Sequence, residues 1–311
     1  MKRDFITEYD LTAKEISGLF ELTAKLKKQK GKLRTDLKGK TVGLVFQKPS
    51  LRTRVSFEVG IHQLGGHCVY LGPDEINLGK RETTHDVAQT LSRYLNGIVA
   101  RVFAHQDVVD LAKHASVPVI NGLCDLYHPC QALTDVYSVL EKLGTLKKKT
   151  LAYIGDGNNV CHSLMLCAAK TGLSMTIATP VKYEPNAEIL KTAQKLAKTK
   201  GATITLSHDP KEAVKGAHVI YSDVWVSMGQ EEETQKRLKD FQGFQINSEL
   251  TKLADKNYIF MHCLPAHRGE EVSRDVIDSK HSIIFDQAEN RLHVQKAILI
   301  FLLGKNRVPK S

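Results

Sequence analysis

The sequence predicts an α/β protein with two doubly wound parallel sheets. Three observations carry that prediction. Short apolar runs of strand length alternate with amphipathic stretches along the whole chain, the pattern of parallel sheets covered by helices on both faces. At 311 residues the chain has room for two domains of ordinary size, each with its own core. The stretch Leu143-Gly144-Thr145 and the lysines at 147–149 break the alternation midway and place a boundary at 143/144.

Residues 1–30 read as one helix, because Ile16, Leu19, Phe20, Leu22 and Leu26 recur at helical spacing. Thr41–Phe46 is apolar and short, a buried strand. Pro49-Ser50-Leu51-Arg52-Thr53-Arg54 then turns into a helix with Ser50 as its N-cap, and Val55 and Val59 share a face beside Phe57, Ile61 and Leu64. Further strands are expected at Val69–Leu71, Gly97–Phe103 and Val117–Ile120, with Asn121-Gly122 as a turn. Pro129 suits the first turn of a helix running through Leu143. The second half repeats the alternation, with strands at Leu151–Ile154, Ser174–Thr179, 203–206, His218–Tyr221, Tyr258–Met261 and Ile283–Phe285, then a final helix from Gln287 to Leu303.

The formal net charge of +10 is scattered, and its densest runs lack interleaved aromatics, which points away from nucleic acid and toward solvated surface plus an anionic substrate. No apolar run is long enough to span a bilayer. The six cysteines form no Cys-x-x-Cys pair and read as thiols of a reducing cytoplasm. His128 with Cys130, and His262 with Cys263, are poor chelating pairs without further ligands, so no metal is expected.

Several stretches carry chemistry. Arg52 and Arg54 in the first turn of a helix are unfavourable unless an anion sits there, when backbone N–H groups, hydroxyls and guanidinium groups make a phosphate cradle; a solvated basic turn is the plainer alternative. Arg101 in an apolar strand needs a partner. His128 and Gln131 are three apart at a helix start, as a cap or as two groups aimed at one spot. Gly155-Asp156-Gly157-Asn158-Asn159 resembles the start of a dinucleotide motif, but Val160 replaces the third glycine and no acidic residue follows the next strand, so a nicotinamide cofactor is not expected. The stretch 222–233 follows a strand's carboxyl end and is either a lid or an ordinary acidic loop.

Taken together, Ser50–Arg54, His128–Gln131, Asp156–Asn159, Asp223–Gly229 and His262–Pro265 stand in the order found in ornithine carbamoyltransferases, and the resemblance covers nearly the whole chain. It implies two domains joined by two helices: a carbamoyl phosphate-binding domain, 1–143, completed by the C-terminal helix 287–311, and an ornithine-binding domain, 144–286. It also implies a homotrimer with sites at subunit boundaries, and no metal or organic cofactor. By resemblance, carbamoyl phosphate is held by Ser50, Leu51, Arg52, Thr53, Arg101, His128, Gln131, Cys263, Leu264 and Arg291, with Leu264 acting through its carbonyl. L-ornithine is held by Asn159, Asp223, Ser227 and Met228. Arg101, His128 and Cys263 are the catalytic group. Cys263 either holds the deprotonated amine or only shapes the pocket while the leaving phosphate takes the proton. Asn77 stands where the family often carries a glutamine reaching from a neighbouring chain, with Lys80-Arg81 adding charge. Rival acceptors are aspartate, putrescine and acylated ornithine; a silent nucleic-acid-binding relative is the reading from another class.

Overall fold

The computed structural model describes residues 2–29, 31–76, 78–79, 81–226 and 231–304. The chain forms two compact units, residues 1–134 with 289–311 and residues 135–288. In the first unit, helix α1 (Ala13–Lys28) starts at Thr12, whose hydroxyl accepts from Glu15 N while the Glu15 carboxylate accepts from Thr12 N. The expected helix over 1–30 is therefore shorter. Before it, Thr7 caps a separate turn, Glu8–Asp10, and Phe5 lies parallel to Ile120.

Strand β1 (Thr41–Phe46), helix α2 (Leu51–Gln63), strand β2 (His67–Leu71), helices α3 (Pro73–Ile76) and α4 (Thr84–Tyr94), strand β3 (Gly97–Arg101), helix α5 (His105–His114) and strand β4 (Val119–Leu123) follow. The four strands form one parallel sheet in the order β2-β1-β3-β4. Asn121-Gly122 is not a turn. Both lie within β4, where Asn121 N donates to Phe5 O and the Asn121 amide to Ile6 O. Pairing with the N-terminal segment overrides the local turn preference of that dipeptide. The register skips Gly122, so Ala100 faces Asn121 while Arg101 faces Leu123. The extra residue belongs to β4, so the irregularity lies in that strand, beside the end of β3 that carries Arg101.

Helix α6 (Pro129–Leu143) passes into the second unit, which continues with β5 (Thr150–Ile154), α7 (Asn159–Thr171), β6 (Ser174–Ala178), α8 (Ala187–Lys198), β7 (Ile204–Ser207), α9 (Pro210–Val214), β8 (Val219–Ser222), α10 (Thr234–Asp240), α11 (Ser248–Thr251), β9 (Ile259–His262), α12 (Arg274–Ile277) and α13 (Ile284–Leu303). Its sheet is also parallel, in the order β7-β6-β5-β8-β9. The strand expected at Ile283–Phe285 is absent. Ser282 makes one isolated bridge to Phe260, and Ile284 already opens α13. A three-residue apolar run suits either state, and here no ladder extends it. The division between units falls inside α6 and α13, so two helices connect them. No helix of the described residues is long and apolar enough to cross a membrane.

Each sheet winds outward in two directions from a central pair, β1/β3 in the first and β5/β8 in the second. Crevices at such switch points are where open α/β sheets bind ligands. The β5 turn is tight: Gly157 N donates to Tyr183 O at 2.8 Å, and a Cβ on Gly157 would lie 2.2 Å from Pro185 N and 2.5 Å from Glu184 C. Gly157→Ala should therefore destabilise the second unit by about 1–3 kcal/mol, read by chemical denaturation, since main chain cannot move aside as a side chain does.

Candidate functional site

In the first unit, the carboxyl ends of β1 and β3 are adjacent, with Phe46 opposite Arg101. Ser50 caps α2, its Oγ accepting from Thr53 N at 3.3 Å. The first N–H groups of the helix, which have no intrahelical partner, begin five residues beyond the end of β1. Thr53 is buried, and its Oγ1 accepts from Arg291 Nη2 at 3.1 Å. Arg291 Nη1 donates to Gln131 Oε1. With its amide turned to satisfy both ends, Gln295 accepts from Arg291 Nη2 at 3.0 Å and Nε at 3.2 Å. Gln295 was missed in the sequence; its one signal is its place one turn beyond Arg291 on α13. Arg54 does not join the cradle. It donates to Glu58 at 2.9 Å and lies over the Tyr70 ring at 3.6 Å.

Arg52, Arg101 and Arg291 thus gather with His128, and the electrostatics follow. Burial first, then Arg291 and Arg52, lowers the Arg101 pKa to about 10, leaving it cationic near neutrality. Arg101 Nε is buried without a hydrogen-bond partner among the described residues. Burial first, then Arg291, Arg101 and Arg52, pushes His128 well below the ordinary imidazole range. His128 is therefore uncharged, and no carboxylate is among the causes acting on either group. Three cations around a neutral imidazole make a site for an anion.

In the second unit the corresponding pair is β5 and β8, with Ile154 opposite Ser222. Asn158 caps α7 and donates through Nδ2 to Asp223 Oδ2 at 2.8 Å, across the switch point. Val224 N donates to Asp223 Oδ1 at 2.8 Å, and Cys263 Sγ, just beyond β9, donates to the same oxygen at 3.0 Å. Burial and then the Asp223 charge push the Cys263 thiol well up, so it keeps its proton. Asn159 is half-buried at the first position of α7. Leu264 takes φ 59°, and its N–H donates to His262 Nδ1 at 2.9 Å. Arg237 is committed to Asp156 and Glu233, both at 2.8 Å, and to Trp225 O at 3.1 Å. Ser227, Met228, Asn77 and Lys80 lie outside the described residues.

The structure thus gathers Ser50, Thr53, Arg52, Arg101, His128, Gln131 and Arg291 in one unit and Asp223, Asn158 and Cys263 in the other. Leu51 is 73% exposed, so only its backbone fits a cradle. Among the described residues, one trio of possible metal ligands converges, His267, Glu270 and Glu271, and none of the cysteines belongs to it. The Glu271 carboxylate already accepts from His267 N at 2.6 Å.

A two-unit parallel α/β chain that presents cations at one switch point and a carboxylate at the other is built to bind two small charged molecules. The family model for the aspartate/ornithine carbamoyltransferase carbamoyl-P binding domain matches residues 3–141, and that for the Asp/Orn binding domain matches residues 147–302. The chain belongs to the aspartate/ornithine carbamoyltransferase family. An ornithine carbamoyltransferase of Thermococcus kodakarensis is 53% identical over 308 residues, 98% of each chain. The anabolic ornithine carbamoyltransferase of Pyrococcus furiosus is 54% identical, covering 97% of this chain and 96% of its own. A solved ornithine carbamoyltransferase structure from Pyrococcus furiosus matches 98% of both chains with a TM-score of 0.95 and 52% identity.

The state of His128 sets a pH dependence. Its folded pKa is depressed, so the stability present above about pH 6.5 is lost below it, as the unfolded chain binds a proton that the folded chain refuses. The loss should approach ~1.4 kcal/mol per pH unit until the folded pKa is reached. Unfolding curves between about pH 5 and 7 should show a shallower slope in His128→Gln than in the unmodified protein.

Proposed function

We propose that the chain transfers the carbamoyl group of carbamoyl phosphate to the δ-amine of L-ornithine, giving L-citrulline and phosphate. The observation that carries this reading is the cluster of Arg52, Arg101 and Arg291 around an uncharged His128. The near-full-length relatives named for that activity support it. In this reading residues 1–143 with 287–311 form the domain for the donor, and 144–286 the domain for the acceptor. The descriptions of the two matching family models support that assignment.

Carbamoyl phosphate is a dianion with an amide and a good leaving group. Ser50, the Leu51 backbone, Arg52 and Thr53 hold its phosphoryl oxygens, and Arg291 adds charge nearby. Arg101 bridges phosphate and carbonyl oxygen. The neutral His128 gives one N–H to that carbonyl, so it binds the developing oxyanion without having raised the positive charge of the empty site. Gln131 has an amide oxygen with two lone pairs, one of which already takes Arg291, and the other accepts from the carbamoyl NH2. The Leu264 carbonyl binds the same group, with Cys263 beside it.

Asn159 holds the α-carboxylate of ornithine, Asp223 and Ser227 its α-ammonium, and Met228 lines the path of its chain. Asp223 is pre-set for a cation by three donors that fix both oxygens. Aspartate as acceptor would need a cation for its second carboxylate, and Arg237 is neutralised by Asp156 and Glu233. The neutral δ-amine attacks the carbonyl carbon, an N–C bond forms, the C–O bond to phosphate breaks, and the departing phosphate takes the amine proton. Cys263, a thiol that donates to Asp223, steadies the acceptor site rather than storing charge.

The exposed stripe Leu51, Val55 and Val59 on α2, 73%, 46% and 38% accessible, supports a homotrimer in which a neighbouring chain packs beside the carbamoyl phosphate cradle. Six free thiols support a reducing cytoplasm, and the anabolic relative supports the direction of arginine biosynthesis.

The unmodified protein should form citrulline from ornithine and no product from aspartate or putrescine; failure to form citrulline would sink the assignment. Arg101→Ala should lower kcat/KM by roughly 100-fold or more. Cys263→Ala should raise the KM for ornithine while leaving the pH profile in place, because the cysteine does not carry the proton. Val55→Glu with Val59→Glu should shift sedimentation from trimer toward monomer.

A further inference from the structure

The segment after β9 carries Cys263 and Leu264, yet neither residue is held by regular structure. Leu264 has the left-handed φ of 59°, a conformation costly for a branched residue without support. Its support comes from His262. The Leu264 N–H donates to His262 Nδ1 at 2.9 Å, so Nδ1 carries no proton. A neutral ring must then hold its proton on Nε2. That nitrogen lies 3.2 Å from Glu271 Oε1, and both side chains are entirely shielded from solvent.

Glu271 is itself fixed. Its Oε1 accepts from His267 N at 2.6 Å, and its backbone oxygen accepts from Ile246 N at 2.9 Å within the core. The contact to Nε2 is an approach and not a hydrogen bond: His262 Nε2 and Glu271 Oε2 both lack a hydrogen-bond partner among the described residues. What Glu271 offers the ring is an oxygen facing Nε2, the nitrogen that holds the proton when Nδ1 accepts from Leu264 N. On the opposite side, His262 N donates to Gln287 Oε1 at 3.0 Å. Gln287 Nε2 donates to Asp135 Oδ1 at 2.7 Å, and Tyr221 Oη to Asp135 Oδ2 at 2.9 Å. His262 is thus gripped through backbone and ring by buried groups.

We propose that Glu271 is a positioning residue for the acceptor side of the reaction: by selecting the Nε2–H form of His262 it makes Nδ1 the acceptor that holds the Leu264 N–H, and so sets where Cys263 meets Asp223. This rests on the function proposed above. Glu271 touches no substrate and acts through the ring. Its loss frees the imidazole to place its proton on Nδ1, where it opposes the Leu264 N–H and releases the turn.

Nitrogen-15 spectra of the full-length protein labelled on histidine test the first step directly. His262 should show the neutral ring with its proton on Nε2. A proton on Nδ1, or a charged ring, overturns the proposal with no substitution needed. Glu271→Ala should lower kcat for citrulline formation about 10- to 100-fold and raise the KM for L-ornithine. Inorganic phosphate, a probe of the cradle in the other unit, should bind Glu271→Ala as it binds the unmodified protein. Glu271→Gln, which keeps an oxygen facing the ring, should recover part of the loss. Unchanged kcat and KM in Glu271→Ala, or an equal loss of phosphate binding, overturns the proposal. If the unmodified protein forms no citrulline, the function fails instead, and the nitrogen spectrum still decides whether Glu271 sets the ring.

Discussion

Gathered positive charge is the constraint around which the first unit is arranged. Arg52, Arg101 and Arg291 repel one another and depress the imidazole they surround, with no carboxylate among the causes acting there. A fold can hold a cation without cancelling it by anchoring it through neutral groups. Arg291 shows how: Thr53, Gln131 and Gln295 take its N–H groups with uncharged oxygens, leaving its charge in place. A glutamate at any of those positions would hold the guanidinium as firmly and cancel the field that an incoming anion requires.

Both units solve the placement problem in the same way. Their sheets reverse direction at a central strand pair, and the loops leaving that pair carry the polar side chains. In the first unit, a bulge at Gly122 of β4 lies beside Arg101 at the end of β3. In the second, a helix cap performs two tasks, since Asn158 holds the start of α7 with its oxygen and Asp223 with its nitrogen. Local structure and site geometry thus share the same atoms.

What could be read from the sequence was what is local. The Ser50 cap, the β1 strand and the Pro129 helix start depend on neighbours within a turn, and they stand where spacing placed them. Distant partners overrode local preference at Asn121-Gly122, where Phe5 supplies a strand neighbour from the far end of the unit. Val55 and Val59 share a face, as their spacing indicates, but hydrophobicity alone does not tell a buried face from an exposed one: theirs is exposed, and Phe57 and Ile61 take the interior. Periodicity carried no sign that Arg54 would lie over Tyr70, nor that Glu271 would reach back to His262. Such pairings depend on tertiary approach, which spacing does not encode. The motif order carried the family because it samples loops that follow strands of both sheets at once.

The first unit is discontinuous: residues 289–303 of α13 belong with residues 1–134, and Lys40 reaches the last turn of that helix at Leu303 O. The second unit is one unbroken stretch. A chain emerging from the ribosome can therefore finish the later-encoded unit before the earlier one, whose cation cluster lacks Arg291 until the last helix is made. The cation cluster is thus completed only after the whole second unit has been synthesised, an order that follows from connectivity alone.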